Sequence, residues 1–164
     1  PAALRRLNTA ILELGDRGRF CTATLGTVVP DGECLKVNLT LAGHPAPVLV
    51  RRNGAVGFVG RSGTLLGVFA DIDLSEDTLM LEPGDALVFY TDGVTERRSS
   101  AGDGLMFGEQ SLIACLQGAA GRSADDIAGL LEDQVQRFGV ARDDLAVLVV
   151  RCAPGEPALE SASG

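Results

Sequence analysis

Ala86-Leu87-Val88-Phe89-Tyr90 is an unbroken apolar run set between two turn signals. An alternating strand keeps one wet face, whereas an unbroken one must be covered on both, so the sheet that holds it needs a layer on each side. Upstream, Glu82-Pro83-Gly84-Asp85 reads as a tight turn, with φ preset at Pro83 and a positive φ tolerated at Gly84. Downstream, Asp92 stands on a glycine-flanked turn at the strand's C-terminal end. A carboxylate fixed there by a rigid strand suits a hard divalent cation. Asp-Gly after a strand is also among the commonest turns, and a turn alone would account for it. A second acidic corner shifts the balance. Asp143-Asp144 precedes Leu145 to Val150, which reads as another buried apolar strand, and two such strands could bring their carboxylates into one site.

The 164 residues suit one domain, and 46% hydrophobic content is enough to fill its core. A net charge of −8 argues against nucleic acid or an anionic membrane as partner. No apolar run approaches a membrane span and no signal peptide is visible. Cys21, Cys34, Cys115 and Cys152 are scattered without metal spacing and read as free thiols, so a cytoplasmic location is expected. Pro1 opens a helix already under way, and the chain reads as a piece of something longer.

Leu4, Leu7, Ile11 and Leu14 predict an amphipathic helix over 2–14, stopped at Gly15 to Gly18. Phe20 to Val29 and Glu33 to Leu41 predict a hairpin turned at Pro30-Asp31-Gly32. In its second strand Leu35, Val37, Leu39 and Leu41 face the core, while Cys34, Lys36, Asn38 and Thr40 face away. Asn53-Gly54 predicts a type I′ turn between Val48–Arg51 and Val56–Val59. Thr78 to Leu81 leads into the apolar run, and Arg97 to Gly108 reads as a surface loop. Glu109 to Gln117 and a second segment capped by Ser123, with Ile127, Leu130, Leu131, Val135 and Phe138 on one stripe, predict two adjacent helices. Asp143 to Arg151 is the last strand, and 154–164 reads as a disordered tail. Hairpins without βαβ alternation point to antiparallel sheets covered by helices, an α+β architecture.

Several short motifs occur in a familiar order: Asn8 after Leu7, Phe20-Cys21-Thr22-Ala23, Ala42-Gly43-His44-Pro45, Leu66-Gly67, Gly84-Asp85 through Thr91-Asp92-Gly93-Val94-Thr95-Glu96, Phe107-Gly108, and Asp143-Asp144. Together they resemble the C-terminal two-thirds of the PPM-type serine/threonine phosphatases of the bacterial stage II sporulation E and stress-response regulator group. The resemblance spans about residues 4–152 and assigns 1–153 to that domain. It implies an α/β/β/α sandwich of two mostly antiparallel sheets flanked by helices. It also implies a binuclear Mn²⁺ or Mg²⁺ centre, a metal-activated water, and a phosphoserine protein substrate such as an anti-sigma-factor antagonist. By residue match Asp92 and Asp143 correspond to metal-binding aspartates, with Asp144 as a neighbour. The family's other acidic motifs lie upstream of the matched region, and residues 1–20 offer only Gly15-Asp16 in the wrong context. The chain is therefore expected to lack the N-terminal strands and half the metal shell, to be inactive alone, and to self-associate as a homo-oligomer through exposed strand edges.

Two other readings compete. A haloacid-dehalogenase-type phosphatase needs a carboxylate nucleophile where this chain has Tyr90. A non-catalytic regulatory binding module of the same fold needs no complete metal site. His44, the only histidine, is expected to fix its loop by a hydrogen bond rather than to act as a general acid or ligand. Thr91 and Thr95 are expected to cap and brace the turn. Glu96 either closes that turn against Arg97 or Arg98, or sits near the cleft. Asp71, Asp73, Glu76 and Asp77 read as a solvated acidic patch.

Overall fold

The computed structural model describes residues 1–14, 19–140 and 144–153. Its elements run α1 (Ala2–Glu13), β1 (Ala23–Asp31), β2 (Cys34–Ala42), β3 (Val48–Val50), β4 (Val56–Phe58), β5 (Asp77–Leu81), β6 (Ala86–Tyr90), α2 (Asp92–Thr95), β7 (Arg98–Ser99), α3 (Gly108–Gln117), α4 (Ala124–Phe138), β8 (Gly139–Val140) and β9 (Val147–Arg151). One sheet has the order β1-β2-β5 and a second the order β4-β3-β6-β9, with every neighbouring pair antiparallel. The short β7 and β8 pair separately.

Side-chain alternation turns these sheets into layers. Leu35 and Val37 of β2, Leu79 and Leu81 of β5, Leu49, Leu87, Phe89 and Val150 form the core between the sheets. The opposite face of the second sheet, Val48, Val50, Ala86, Val88 and Tyr90, packs on Leu112 and Leu116 of α3 and on Ile127, Leu131 and Val135 of α4. On the outer side of the first sheet, Ala23, Leu25 and Ala42 meet Leu4 and Ile11 of α1 together with Leu66, Ile72 and Leu74. Helix, sheet, sheet and helices thus stack as expected, and β6 is covered on both faces. Ser123 caps α4 by accepting from the Asp126 N–H at 3.1 Å.

Some local expectations are corrected. Strand β1 starts at Ala23 and continues through Pro30 and Asp31, so Gly32-Glu33 makes the turn. Pro30 is tolerated because β1 is an edge strand. Thr40 does not face solvent, since α1 and the 66–74 segment cover that end of β2. The Asn53-Gly54 turn is not type I′: only Gly54 has positive φ, and the Asn53 side chain instead accepts from the Ala55 N–H at 3.0 Å. Strand β9 begins at Val147 and lies at a sheet edge with Leu148 62% exposed, so it is not doubly buried. The apolar stripe of α1 is only half used, for Leu7 and Leu14 are exposed. Asn8 fastens that helix instead, donating to Phe69 O at 2.9 Å and accepting from Gly67 N at 2.7 Å. The expected helix stop at 15–18 and the tail at 154–164 lie outside the described residues. Among described residues no helix is long and apolar enough to cross a membrane.

The turn before β6 is held by a buried charge. Asp85 N–H donates to Glu82 O at 2.9 Å around Gly84, whose φ of 97° suits glycine. The Asp85 carboxylate, 2% exposed, accepts from Arg51 at 2.7 Å, from the Arg52 N–H at 2.9 Å and from the Glu82 N–H at 3.0 Å. It ties the β3–β4 turn to the β5–β6 turn. Burial pushes its pKa up, but the Arg52 N–H, the Arg51 guanidinium and the Glu82 N–H together hold it below the usual 3.8. A depressed native pKa gives stability that is present above the unfolded value and lost as pH falls through the native one. Urea midpoints are therefore expected to drop below about pH 4. Asp85→Asn should flatten that drop and cost about 2 kcal/mol at neutral pH, the low end for a pair whose arginine is partly exposed.

Candidate functional site

Asp92 does not sit on an open turn. It is the first residue of the single-turn helix α2, where Glu96 N–H donates to Asp92 O at 2.8 Å and Thr95 Oγ1 to the same oxygen at 3.3 Å. Thr95 therefore braces the turn as expected. Thr91 does something the sequence did not signal. Its side chain makes no helix cap; it donates to Asp144 O at 2.9 Å and accepts from Ala146 N at 3.0 Å, while Thr91 N–H donates to Ala146 O at 3.1 Å. These bonds continue the Tyr90–Val147 register of the β6–β9 ladder past the end of the strands. The backbone at Asp144 is thereby held against the residue that precedes Asp92.

A cleft of about 470 Å³ opens at this corner, lined by Asp92, Glu96 and Glu109 together with Tyr90, Thr91, Thr95, Ser62, Thr22 and the 43–46 loop. The choice left open for Glu96 is settled by position: it is exposed and lines the cleft. Burial and the Glu109 carboxylate push the Tyr90 phenol up to about 12, so it stays a neutral hydroxyl near pH 7. Asp92 lines the cleft; Asp144 is exposed and is not among the cleft's lining residues, only its backbone carbonyl being held by Thr91; Asp143 lies outside the described residues. Glu109 was missed because it belongs to the first turn of α3, seventeen residues beyond Asp92, with no motif linking the two.

His44 reaches this cleft too. Its Nδ1 lies 3.0 Å from Thr22 Oγ1, fixing the loop to the chain just before β1. Gly43 permits the close approach: its φ is 66°, and a Cβ there would collide with the Leu65 backbone and side chain. In the acidic patch, Asp77 pairs with Arg61 at 2.9 Å, whereas Asp71, Asp73 and Glu76 are exposed.

Apart from the His44 imidazole, the side-chain donors in the cleft are carboxylate and hydroxyl oxygens, the type a hard cation such as Mg²⁺ or Mn²⁺ prefers. Among the described residues no three His, Cys, Asp or Glu side chains cluster closely enough to hold an ion by themselves. The residues present thus fit such an ion in kind.

A family model for stage II sporulation protein E (SpoIIE) matches residues 1–153. The chain belongs to the SpoIIE family. It is 31% identical over 116 residues to Protein IcfG of Synechocystis sp., covering 70% of this chain but 18% of that protein. Among solved structures, the Mn-presoaked phosphatase domain of the cell fate determinant SpoIIE from Bacillus subtilis is similar with a TM-score of 0.63 and 24% identity, over 95% of this chain and 66% of that one. The RsbU and RsbW domains of Rv1364c from Mycobacterium tuberculosis reach a TM-score of 0.72 at 23% identity, over 95% of this chain and 42% of that one. The SiaA-PP2C domain of Pseudomonas aeruginosa reaches 0.69 at 17% identity, over 90% and 58%. These likenesses establish a PPM/PP2C-type fold for this SpoIIE-family chain.

The Thr91 bridge is testable alone. Thr91→Val keeps the side-chain shape and removes both hydroxyl bonds. It should cost about 1–2 kcal/mol and speed hydrogen exchange at the Ala146 amide. Unchanged exchange there would show that the ladder, not the hydroxyl, holds the corner.

Proposed function

We propose that this SpoIIE-family domain is part of a metal-dependent protein serine/threonine phosphatase that hydrolyses phosphoserine on a small regulatory protein, such as an anti-sigma-factor antagonist, in the cytoplasm. The observation that carries this reading is the Thr91 bridge, which brings the backbone at Asp144 beside the helix that starts at Asp92. Asp92, Asp143 and Asp144 are the residues proposed to hold Mn²⁺ or Mg²⁺. Such a cation pair supplies a nucleophilic water near neutral pH and neutralises phosphoryl charge. The chain's own contribution is placement. Strand β6 mounts Asp92, and Thr91 holds the Asp144 backbone beside it. No side chain needs to form a covalent phosphoenzyme.

The chain spans 66% of the SpoIIE phosphatase domain it resembles, and among its described residues no three His, Cys, Asp or Glu side chains cluster to hold an ion. The 164-residue chain is therefore expected to bind Mn²⁺ weakly and to release no phosphate from a phosphoserine peptide. In amide spectra Mn²⁺ should broaden Gly93 and Ala146 first, and Asp92→Asn should weaken that effect roughly tenfold. Phosphate release by the wild-type chain would overturn the incomplete shell, and unaffected Gly93 and Ala146 signals would overturn the cation site.

Self-association belongs to the same reading. Exposed Val28 and Val29 on edge strand β1 and Leu148 on edge strand β9 leave apolar sheet edges open. Light scattering is expected to show a concentration-dependent mass above that of one chain. A constant monomer mass would argue against it.

A further inference from the structure

We propose that His44 is a substrate-binding residue, donating a hydrogen bond from Nε2 to a non-bridging oxygen of the phosphoryl group. The proposal rests on the phosphatase reading of the same cleft and names a side chain that meets the anion there.

Charge makes the argument. A phosphomonoester carries close to two negative charges near neutral pH. The cleft it must enter is lined by Asp92, Glu96 and Glu109, with no lysine or arginine among its described lining residues. The 43–46 loop and Thr22 line the same cleft. Backbone donors are few there: the Gly43 N–H is spent on Gly63 O at 2.9 Å, and Pro45 has no N–H. His44 is the one lining side chain with a nitrogen donor.

The ring is already oriented. Nδ1 is engaged with Thr22 Oγ1 at 3.0 Å, and among the described residues Nε2 has no protein partner. If the Thr22 hydroxyl donates to Nδ1, the neutral ring carries its proton on Nε2, which is then a donor left over for a ligand in the cleft. The loop-fixing bond and the ligand-binding bond use opposite ring nitrogens, so one histidine serves both. Gly43 and the Leu65 contact hold the loop in place without the ligand.

Because His44 is the only histidine, its ring signals in a ¹⁵N-labelled chain are unambiguous. Long-range ¹H–¹⁵N spectra near neutral pH are expected to show the proton on Nε2; a proton on Nδ1 would overturn the proposal with no metal or substrate involved. Mg²⁺ is then added, followed by inorganic phosphate. The Gly93 amide should move with Mg²⁺ and the His44 Nε2 signal with phosphate. His44→Ala should raise the phosphate Kd about tenfold, while His44→Gln, which keeps an N–H donor, should recover part of the loss. Phosphate that binds in the presence of Mg²⁺ with an unmoved Nε2 signal and an unchanged Kd in His44→Ala would overturn the role of His44 and leave the phosphatase reading intact. A Gly93 amide indifferent to Mg²⁺ would instead overturn the cation site, and the His44 role with it.

Discussion

Tyr90 pairs with Val147 across the β6–β9 ladder, and that register sets the backbone at Asp144 beside the residue that precedes Asp92. Strand side chains alternate with period two, so a slip of one residue would turn Val147 and Val149 away from the helices they pack on. The register is therefore specified by burial along the strands, not at the cleft. Beyond the last ladder pair, Thr91 continues the pairing with its hydroxyl as well as its backbone, reaching Asp144 and Ala146. A polar corner that could fray into water is thus an extension of a buried sheet. At the other end of β6, Asp85 fixes the entry turn through Arg51, Arg52 and Glu82. The strand is clamped at both ends, which gives Asp92 a rigid mount.

Much of this was legible where a pattern has one physical solution. The unbroken run Ala86–Tyr90 required cover on both faces and has it. Alternation in Cys34–Ala42 assigned Leu35 and Val37 to the inter-sheet core, and Pro83-Gly84 allowed only a turn with positive φ. Where a pattern has two solutions the sequence was silent or misleading. Leu145–Val150 is as apolar as β6, but composition does not distinguish a central strand from an edge awaiting a neighbour. Asn53-Gly54 fits a two-residue turn in isolation, yet the Asn53 side chain spends its oxygen on Ala55 and the loop lengthens. Asp92 was recognised as a ligand candidate, but Glu109 and Ser62 join its cleft from distant segments that no local spacing connects.

The same cleft weighs against the covalent alternative. A phosphoaspartyl route needs a carboxylate nucleophile two residues before Asp92, and that position is Tyr90. Its side chain is buried in the layer beneath α3 and α4, and its phenol is pushed further from ionisation by burial and by Glu109. A neutral, poorly ionisable hydroxyl is a weak nucleophile but a serviceable hydrogen-bond donor. The threonines are equally occupied: Thr91 is spent on Asp144 and Ala146, and Thr95 on Asp92 O. What remains in the cleft is a set of hard oxygen donors with one imidazole, that of His44.

The four edges of the two larger sheets are not equivalent in how readily a further strand would add to them. Strand β4 is three residues long, and β5 carries Asp77 paired with Arg61, both features that discourage further pairing. Strand β1 exposes Val28 and Val29 but is blunted by Pro30. Strand β9 has no such device across Val147–Val150 and exposes Leu148. It is the edge where an added strand would gain most, in ladder hydrogen bonds and in apolar cover. Such a strand would run beside the segment that leads from Asp144 into β9. The edge that exposes Leu148 thus runs back into the backbone that Thr91 holds at Ala146 and Asp144.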